Sequence, residues 1–247
     1  MYPKLFSIFG FPISSFGVMM AAAFLVGAWI TSKRMEEEGL DPDLATTLLI
    51  YVMLGGILGS KLYFAIDVWL REGRPFASLL FARDGITWYG GMIAGTAAGA
   101  LGCRRYGVSV KTVADCTAVA GAVGQAIGRV GCFLVGDDYG KPTDEPWGIA
   151  FPHGIQPVDH PVHPTQLYEI AWLLLVAAFL WRRRHRSPFL FGEYIALGGL
   201  GRIVIEHWRV NEPVLGLTEP QWIGAGLIVL GVAGWIYYYR GSEPAAA

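Results

Sequence analysis

The sequence predicts an all-α integral membrane protein with seven transmembrane helices, the N-terminus outside and the C-terminus in the cytoplasm. Its 247 residues are 53% hydrophobic and only 16% charged, whereas soluble domains have about 25% charged residues. The mean hydropathy is +0.43, and the apolar residues occur in runs of helix length. One polytopic membrane domain over residues 1–247 is therefore expected.

Apolar runs separated by charged or Pro-rich segments define the predicted spans. Each run approaches the roughly 20 residues that a helix needs to cross a bilayer. The charged residues 33–38 are expected to form a turn after the first span. Residues 134–164 are too polar and Pro-rich to cross. The predicted spans are 15–31, 44–66, 86–101, 113–133, 165–181, 190–208 and 220–239.

The distribution of Lys and Arg predicts the orientation. Basic residues are most frequent in the loop of Arg104 and Arg105 and in the segment 182–186, and such loops face the cytoplasm. The N-terminus and the segment 134–164 are then extracytoplasmic. The N-terminal residues lack a basic region before an apolar core and a small-residue cleavage site, so we expect no cleaved signal peptide.

Charge and cysteine content exclude other classes of protein. A net charge of −1 gives no basic surface for a nucleic-acid partner. Cys103, Cys116 and Cys132 have neither metal-site nor redox spacing, so we expect no metal ion.

Arg129 is the most informative residue, because it lies inside the apolar, Gly-rich stretch 121–140. A charge within a membrane span costs roughly 2.5–3.5 kcal/mol on insertion scales, and such residues are usually functional. The alternative is a structural arginine that bonds helix-end carbonyls or extends to the interface.

The predicted orientation gathers nearly all intramembrane polar residues in the outer half. Arg129, Arg202 and Glu206 lie towards the outer ends of outward-running spans. Tyr89 and residues 163–169 lie where inward-running spans begin. A transporter would distribute polar groups through both halves, so the pattern favours a site open to the outer leaflet. Arg202 and Glu206 are four residues apart and can pair, although a purely structural ion pair is the alternative.

Small residues repeat at intervals of four along several spans. Such repeats let membrane helices approach closely. We therefore predict helix–helix contact faces that hold the charged residues in fixed geometry. The repeats are Gly55 and Gly59, then Gly91, Gly95 and Gly99, then Gly124 and Gly128.

Four ordered strings resemble the prolipoprotein diacylglyceryl transferase family over nearly the whole chain. One begins at Tyr89-Gly90-Gly91, and another is His163-Pro164-Thr165-Gln166-Leu167-Tyr168-Glu169. The others are Gly128-Arg129-Val130-Gly131-Cys132-Phe133 with Gly136-Asp137 and Gly140, and Gly201-Arg202-Ile203-Val204-Ile205-Glu206.

The resemblance implies a bacterial inner-membrane enzyme. Such an enzyme moves the diacylglyceryl group of phosphatidylglycerol onto the lipobox cysteine thiol of a prolipoprotein and releases glycerol phosphate. The implied partners are phosphatidylglycerol, the prolipoprotein signal peptide and membrane lipids, without a cofactor. The segment 134–164 would cover the site from outside.

The resemblance also implies roles for individual residues. Arg129 would hold the lipid phosphate, and Arg202 would stabilise charge on the leaving phosphate. Asp137 and Glu206 would orient the arginines or transfer protons, and a group near Tyr89 would help to ionise the thiol. The remaining expected substrate-binding residues are Cys132, Gly140, Gly90, Gly91, His163 and Tyr168.

Several positions depart from the family pattern. Tyr89 stands where the family usually has His, and a phenol with a reference pKa near 10 is a poor base at neutral pH. Phe16 and Gly198 replace tyrosines, Cys132 replaces Asn, and Asp137 stands where Glu is frequent. Two interpretations follow: a divergent transferase that uses Tyr89 or another base, or a lipid-binding paralogue without catalysis.

Overall fold

The structure is a computed structural model that describes residues 1–8, 11–80, 85 and 87–242. Ile86, where the third predicted span begins, and residues 243–247, at the end of the predicted domain, lie outside the described residues. The helices are α1 Ser15–Glu37, α2 Leu44–Glu72, α3 Phe76–Leu80, α4 Trp88–Arg105, α5 Val110–Val135, α6 Thr165–Arg183, α7 Leu190–Ile205 and α8 Glu219–Ser242.

Short antiparallel hairpins occur among the described residues outside these helices. Strands β3 and β4 lie within the segment 134–164, and β5 and β6 connect α7 to α8. None of these strands is evident from the hydropathy pattern. Their bounds are β1 Lys4–Ile8, β2 Phe11–Ser14, β3 Ile149–Phe151, β4 Val158–Val162, β5 Pro213–Val214 and β6 Leu217–Thr218.

The helices coincide with every predicted span. Helices α1, α2, α5 and α8 are long and apolar enough to cross a membrane, so the chain is a multi-pass membrane protein. The total of seven spans and the orientation stay predictions, because α4, α6 and α7 are shorter or less apolar.

Two local predictions were wrong. Residues 33–38 do not form a turn: α1 continues to Glu37 because Arg34 pairs with Glu37 and with Glu38, at 2.8 Å from the latter, along one helix face. The sixth span is also not one α-helix, since α7 ends at Ile205 and Glu206–Trp208 forms a 3₁₀ turn.

The chain divides into two compact units, residues 1–31 with 114–247 and residues 32–113. In the second unit, α2 packs closely on α4. A Cβ added to Gly55 would lie 2.5 Å from the Ala98 Cβ, and one added to Gly59 would meet Ala94. The predicted contact face on α2 is therefore confirmed.

In the first unit, α5, α6 and α7 enclose the core. The fully buried residues include Ala118 and Ala122 on α5, Leu180 on α6 and Leu190 on α7. Small residues on α5 allow the three helices to approach, which fixes the ends that carry the polar residues.

Helix α1 crosses the opposite side of α5 in this unit. A Cβ on Gly124 would lie 3.7 Å from the Ala23 carbonyl oxygen, which agrees with the predicted contact face on α5. A Cβ on Gly131 would lie 3.1 Å from the Phe16 ring. The first turn of α1 is thus fixed beside the last turns of α5.

Helices α7 and α8 cross through two glycine pairs that the spacing rule did not predict. Gly199 faces Gly224, and Gly192 faces Gly231, so closely that an added Cβ would overlap the opposite backbone. The repeat interval here is seven residues, as expected for antiparallel helices that contact every second turn.

Candidate functional site

Arg129 and Arg202 meet at one carboxylate. Arg129, near the end of α5, pairs through Nε with Oε2 of Glu169 in the first turns of α6. Arg202, near the end of α7, donates from Nη1 to Oε1 of Glu169 at 3.1 Å. The ends of three helices from separate parts of the sequence therefore carry one charged cluster.

Arg209 adds a third guanidinium to this cluster. Its Nη2 lies 3.3 Å from Oε1 of Glu169, and its Nη1 lies 2.6 Å from Oδ1 of Asp138. Arg129 pairs with Oδ2 of the same Asp138. The side chain of Arg209 is only 5% exposed, so its charge is compensated by these two carboxylates rather than by solvent.

Glu206 lies beside Arg202 in a closed environment. Its side chain is 0% exposed, and its Oε2 lies 3.8 Å from Nε of Arg202. Its Oε1 accepts hydrogen bonds from Asn211 Nδ2 at 2.5 Å and from Thr218 Oγ1 at 3.0 Å. Glu206 therefore binds the β5–β6 hairpin through Oε1 and offsets the charge of Arg202, while its Oε2 has no hydrogen-bond partner among the described residues.

The two adjacent aspartates after α5 have different surroundings. Asp138 adopts φ 62° after Gly136 at φ 71°, so the backbone turns sharply here. Gln166 Nε2 donates to the Asp137 carbonyl at 2.6 Å, and Thr165 Oγ1 donates to the Asp138 carbonyl at 2.9 Å. These bonds from the first turn of α6 hold both aspartates in place.

The pKa values of the two carboxyls move in opposite directions. Burial raises the pKa of Asp137 above its ordinary value. Burial alone would also raise the pKa of Asp138, but the hydrogen bond from Arg209 and the charge of Arg129 hold it below its ordinary value. Asp138 is thus the ionised partner of the arginines, whereas Oδ1 of Asp137 is buried with no hydrogen-bond partner among the described residues.

A pocket of about 590 Å³ opens beside the cluster. It combines a guanidinium, two carboxylates, a thiol and apolar rings in one space, which suits a ligand with an anionic head and an apolar part. The Cys132 sulfur lies 3.8 Å from Nη1 of Arg129. The lining residues are Phe16, Cys132, Asp137, Asp138, Tyr139, Gln156, Arg209, Val210 and Asn211.

Gly140, His163 and Tyr168 are linked by hydrogen bonds and are not among the residues that line this pocket. Gly140 donates from its backbone nitrogen to the His163 carbonyl at 2.8 Å. A Cβ on Gly140 would overlap the Trp208 carbonyl oxygen, so no larger residue fits without movement. His163 Nδ1 lies 3.1 Å from the Tyr168 hydroxyl, which also accepts a hydrogen bond from Trp147.

Tyr89, Gly90 and Gly91 lie in the first turn of α4, in the unit of residues 32–113. Gly90 packs against the Gly59 carbonyl, and a Cβ on Gly91 would lie 2.5 Å from Ser60 Oγ. The structure gives both glycines a packing role within their own unit. Their predicted part in the site, with that of Tyr89, stays a prediction.

Neither Glu169 nor Arg209 is predicted from the sequence to be a site residue. Asp137 and Asp138 follow Arg129 closely enough for either to fold back over it, and the structure pairs Asp138 with Arg129. Glu169 is the last residue of the motif at residues 163–169, at the outer end of its predicted span. That position is the sequence feature that could have identified it. Arg209 follows Arg202 by seven residues, which is two helical turns. For Asp138, no local pattern distinguishes it from Asp137. Among residues 1–8, 11–80, 85 and 87–242, no group of three metal-ligating side chains occurs.

Comparison with known proteins identifies the family of this chain. The family model "Prolipoprotein diacylglyceryl transferase" matches residues 3–237. The chain is 33% identical over 240 residues to the phosphatidylglycerol–prolipoprotein diacylglyceryl transferase of Clostridium tetani, covering 94% of this chain and 96% of that one. It is 33% identical over 259 residues to the protein of the same name from Synechococcus elongatus, covering 98% and 90%. The chain belongs to the prolipoprotein diacylglyceryl transferase family.

Proposed function

We propose that this protein transfers the diacylglyceryl group of phosphatidylglycerol to the lipobox cysteine thiol of prolipoproteins. The observation that carries the proposal is the convergence of Arg129 and Arg202 on Glu169, beside a pocket that Cys132 and Asp137 line. The names of the relatives, each a phosphatidylglycerol–prolipoprotein diacylglyceryl transferase, support the same activity.

The guanidiniums supply the phosphate chemistry. A phosphodiester offers several acceptor oxygens, and arginine donates to such groups through a planar pair of N–H bonds. Arg129 holds the headgroup, and Arg202 stabilises the negative charge that develops on the leaving glycerol phosphate. During transfer a C–S bond forms at the diacylglyceryl carbon as its C–O bond to phosphate breaks.

The other candidate residues position these groups. Glu206 orients Arg202 from its closed environment. Gly140 leaves room where the backbone of Trp208 approaches. Cys132 lines the pocket. His163 and Tyr168 form a hydrogen-bonded pair beside the backbone of Gly140. We assign Gly140, Cys132, His163 and Tyr168 to substrate binding or to its support. Tyr89, Gly90 and Gly91 stay proposed contributors from α4.

The proposed topology follows from the sequence. Seven spans place the N-terminus outside and the C-terminus in the cytoplasm of the bacterial inner membrane, and the segment 134–164 is extracytoplasmic. Four helices that meet the length and composition needed for spanning support this arrangement. The arginine cluster is then at the depth of the outer-leaflet headgroups, and the whole chain acts as one domain.

The relatives favour catalysis over a lipid-binding paralogue. Tyr89 and the other departures from the family pattern suggested a protein that binds lipid without chemistry. The curated relatives have similar length and share the transferase name, and the phosphate-binding arginines are present together with a buried carboxylate. The transferase is therefore the function we retain.

Complementation tests the proposal. A bacterium depleted of its own transferase receives this chain, and lipidation of an exported lipoprotein is measured by its mobility shift and mass. We expect wild type to restore lipidation. Arg129→Ala and Arg202→Ala should each lower it by at least about 10²-fold, the usual loss for a charge-stabilising donor.

Arg71→Ala is the matched control. Arg71 is also an arginine near a helix end, but its side chain is 78% exposed and pairs with nearby Asp67. We expect it to complement as wild type does. If Arg129→Ala and Arg202→Ala also complement fully, the arginine cluster does not handle the lipid phosphate.

A further inference from the structure

The proposed transfer needs a proton acceptor, because a thiolate rather than a thiol attacks carbon. The cluster contains four carboxylates in the first unit: Asp137, Asp138, Glu169 and Glu206. They differ in what their oxygens already bind, and this difference decides which of them can receive a proton.

Two of the four carboxylates are committed to guanidiniums through both oxygens, and a third is closed off from the pocket. Both oxygens of Asp138 pair with guanidiniums, as do both oxygens of Glu169. Charge-assisted hydrogen bonds favour the ionised form of a carboxylate and make it a weak base. Glu206 has no exposed surface and does not line the pocket, so an incoming thiol has no route to it.

Asp137 differs in each of these respects. Its side chain lines the pocket. Its Oδ1 is buried and receives no hydrogen bond from any described residue. Burying an acceptor without a donor costs about 1–3 kcal/mol, and a proton received by this carboxylate would relieve that cost. Glu206 Oε2 is also without a hydrogen-bond partner among the described residues, but Glu206 does not line the pocket, whereas Asp137 does.

The backbone conformation explains why the adjacent carboxylates of Asp137 and Asp138 have different partners. Asp138 at φ 62° turns the chain between them, and Gln166 fixes the Asp137 carbonyl at 2.6 Å. Asp138 consequently faces Arg129 and Arg209, and Asp137 remains available on the side of Cys132.

We propose that Asp137 is the general base that accepts the proton of the acceptor thiol in this chain. This inference rests on the proposed function. The S–H bond gives its proton to the Asp137 carboxylate, and the thiolate forms the C–S bond. The C–O bond to phosphate breaks with its electron pair on the glycerol phosphate, which the arginines hold. Protonated Asp137 then releases its proton to the leaving phosphate or to water.

The surroundings of Asp137 are consistent with this role. Burial and the negative charge of Asp138 raise its pKa, and the hydrogen bond with Cys132 and the positive charges of Arg129 and Arg209 offset that rise only in part. A base with a pKa closer to the working pH transfers protons more effectively. A thiol is also the group that already lies next to this carboxylate.

The test uses the full-length purified protein with phosphatidylglycerol in mixed micelles and a peptide that carries the acceptor cysteine. Values of kcat and of KM for phosphatidylglycerol are measured from about pH 4 to about pH 9, across the range where a raised carboxyl and a free thiol titrate. The variants are Asp137→Asn, Asp137→Glu and Asp138→Asn. Asp159→Asn, an exposed aspartate in the same loop segment, is the control.

We expect Asp137→Asn to lower kcat by about 10²–10⁴-fold, the usual contribution of a general base, with KM changed less than about threefold. Its remaining rate should rise with pH until the free thiol titrates, because only spontaneously ionised thiol reacts, and the lower-pH inflection that the carboxyl gives the acid limb of the wild-type profile should disappear. Asp137→Glu should recover at least about a tenth of kcat. Asp138→Asn should chiefly raise KM, since Asp138 holds two arginines. Asp159→Asn should match wild type.

Three outcomes would overturn the inference. Asp137→Asn with wild-type kcat and an intact acid limb refutes the base assignment while wild-type activity preserves the proposed function. A loss confined to KM gives Asp137 a binding role instead. Absence of transfer by wild type, in the same assay that a relative passes, removes the proposed function itself.

Discussion

Glu169 is the carboxylate on which the arginine cluster depends, and Glu169→Gln tests that dependence. The substitution keeps the shape of the side chain and removes its charge. Glu169 is 10% exposed and contacts Arg129, Arg202 at 3.1 Å and Arg209 at 3.3 Å. The variant therefore leaves three guanidiniums to share the remaining carboxylates.

The magnitude follows from the burial of these groups. Removing one partner of a buried ion pair costs about 3–5 kcal/mol. The Gln amide oxygen still accepts one hydrogen bond, so we expect a loss of about 3 kcal/mol. In a protein of this size each kcal/mol lowers Tm by about 2–4 °C, which gives a decrease of about 6–12 °C.

Lipid dependence separates the proposed role from simple destabilisation. A bound phosphate can replace the missing carboxylate, so phosphatidylglycerol should raise the Tm of Glu169→Gln more than that of wild type. Thermal unfolding in detergent, with phosphatidylglycerol or with phosphatidylcholine, provides the measurement. Glu145→Gln, in an exposed loop position, is the control and should leave Tm unchanged. Equal lipid shifts in Glu169→Gln and wild type would refute the reasoning.

Two further predictions concern the loop after α5. Gly140→Ala should lower the free energy of unfolding by about 1–3 kcal/mol and reduce lipidation, because the added Cβ overlaps the Trp208 carbonyl oxygen. Gly226→Ala is the control: no described atom lies within 4 Å of its added Cβ, so it should be neutral or stabilise by up to about 1 kcal/mol. Equal Tm values for the two variants would contradict the packing role of Gly140. The lowered pKa of Asp138 adds stability that is complete above its ordinary value of 3.8 and is lost as pH falls through the lower folded value. Thermal unfolding between about pH 2 and about pH 6 should show this loss in wild type and less of it in Asp138→Asn, and an identical acid decline in both would disprove the Arg209–Asp138 contribution.

Local sequence patterns were sufficient for the helices and for part of the site. Apolar runs located every long helix but not the five-residue α3, because the membrane requires all backbone groups of a span to bond within it. Arg129 and Arg202 were identifiable because a charge in such a run is costly and needs a partner. The contact face of Gly55 and Gly59 was likewise predictable from its four-residue repeat.

The helix ends and the pairing of charges were harder to predict from the sequence. The sequence predicted a turn at 33–38, but side-chain ion pairs four residues apart extend α1 instead. The repeat of Gly192 and Gly199 opposite Gly224 and Gly231 was also missed, since an interval of seven has no distinct meaning until the partner helix is known.

The sequence by itself determined which residues lie in apolar helices and which arginines need anionic partners, because transfer energies depend on local composition. Only the tertiary structure decided that Glu169 joins Arg129 to Arg202, and that Asp138 rather than Asp137 faces the guanidiniums. Those choices depend on where three helix ends meet and on the left-handed backbone at Asp138. Contacts between residues distant along the chain set both, and no local pattern encodes them.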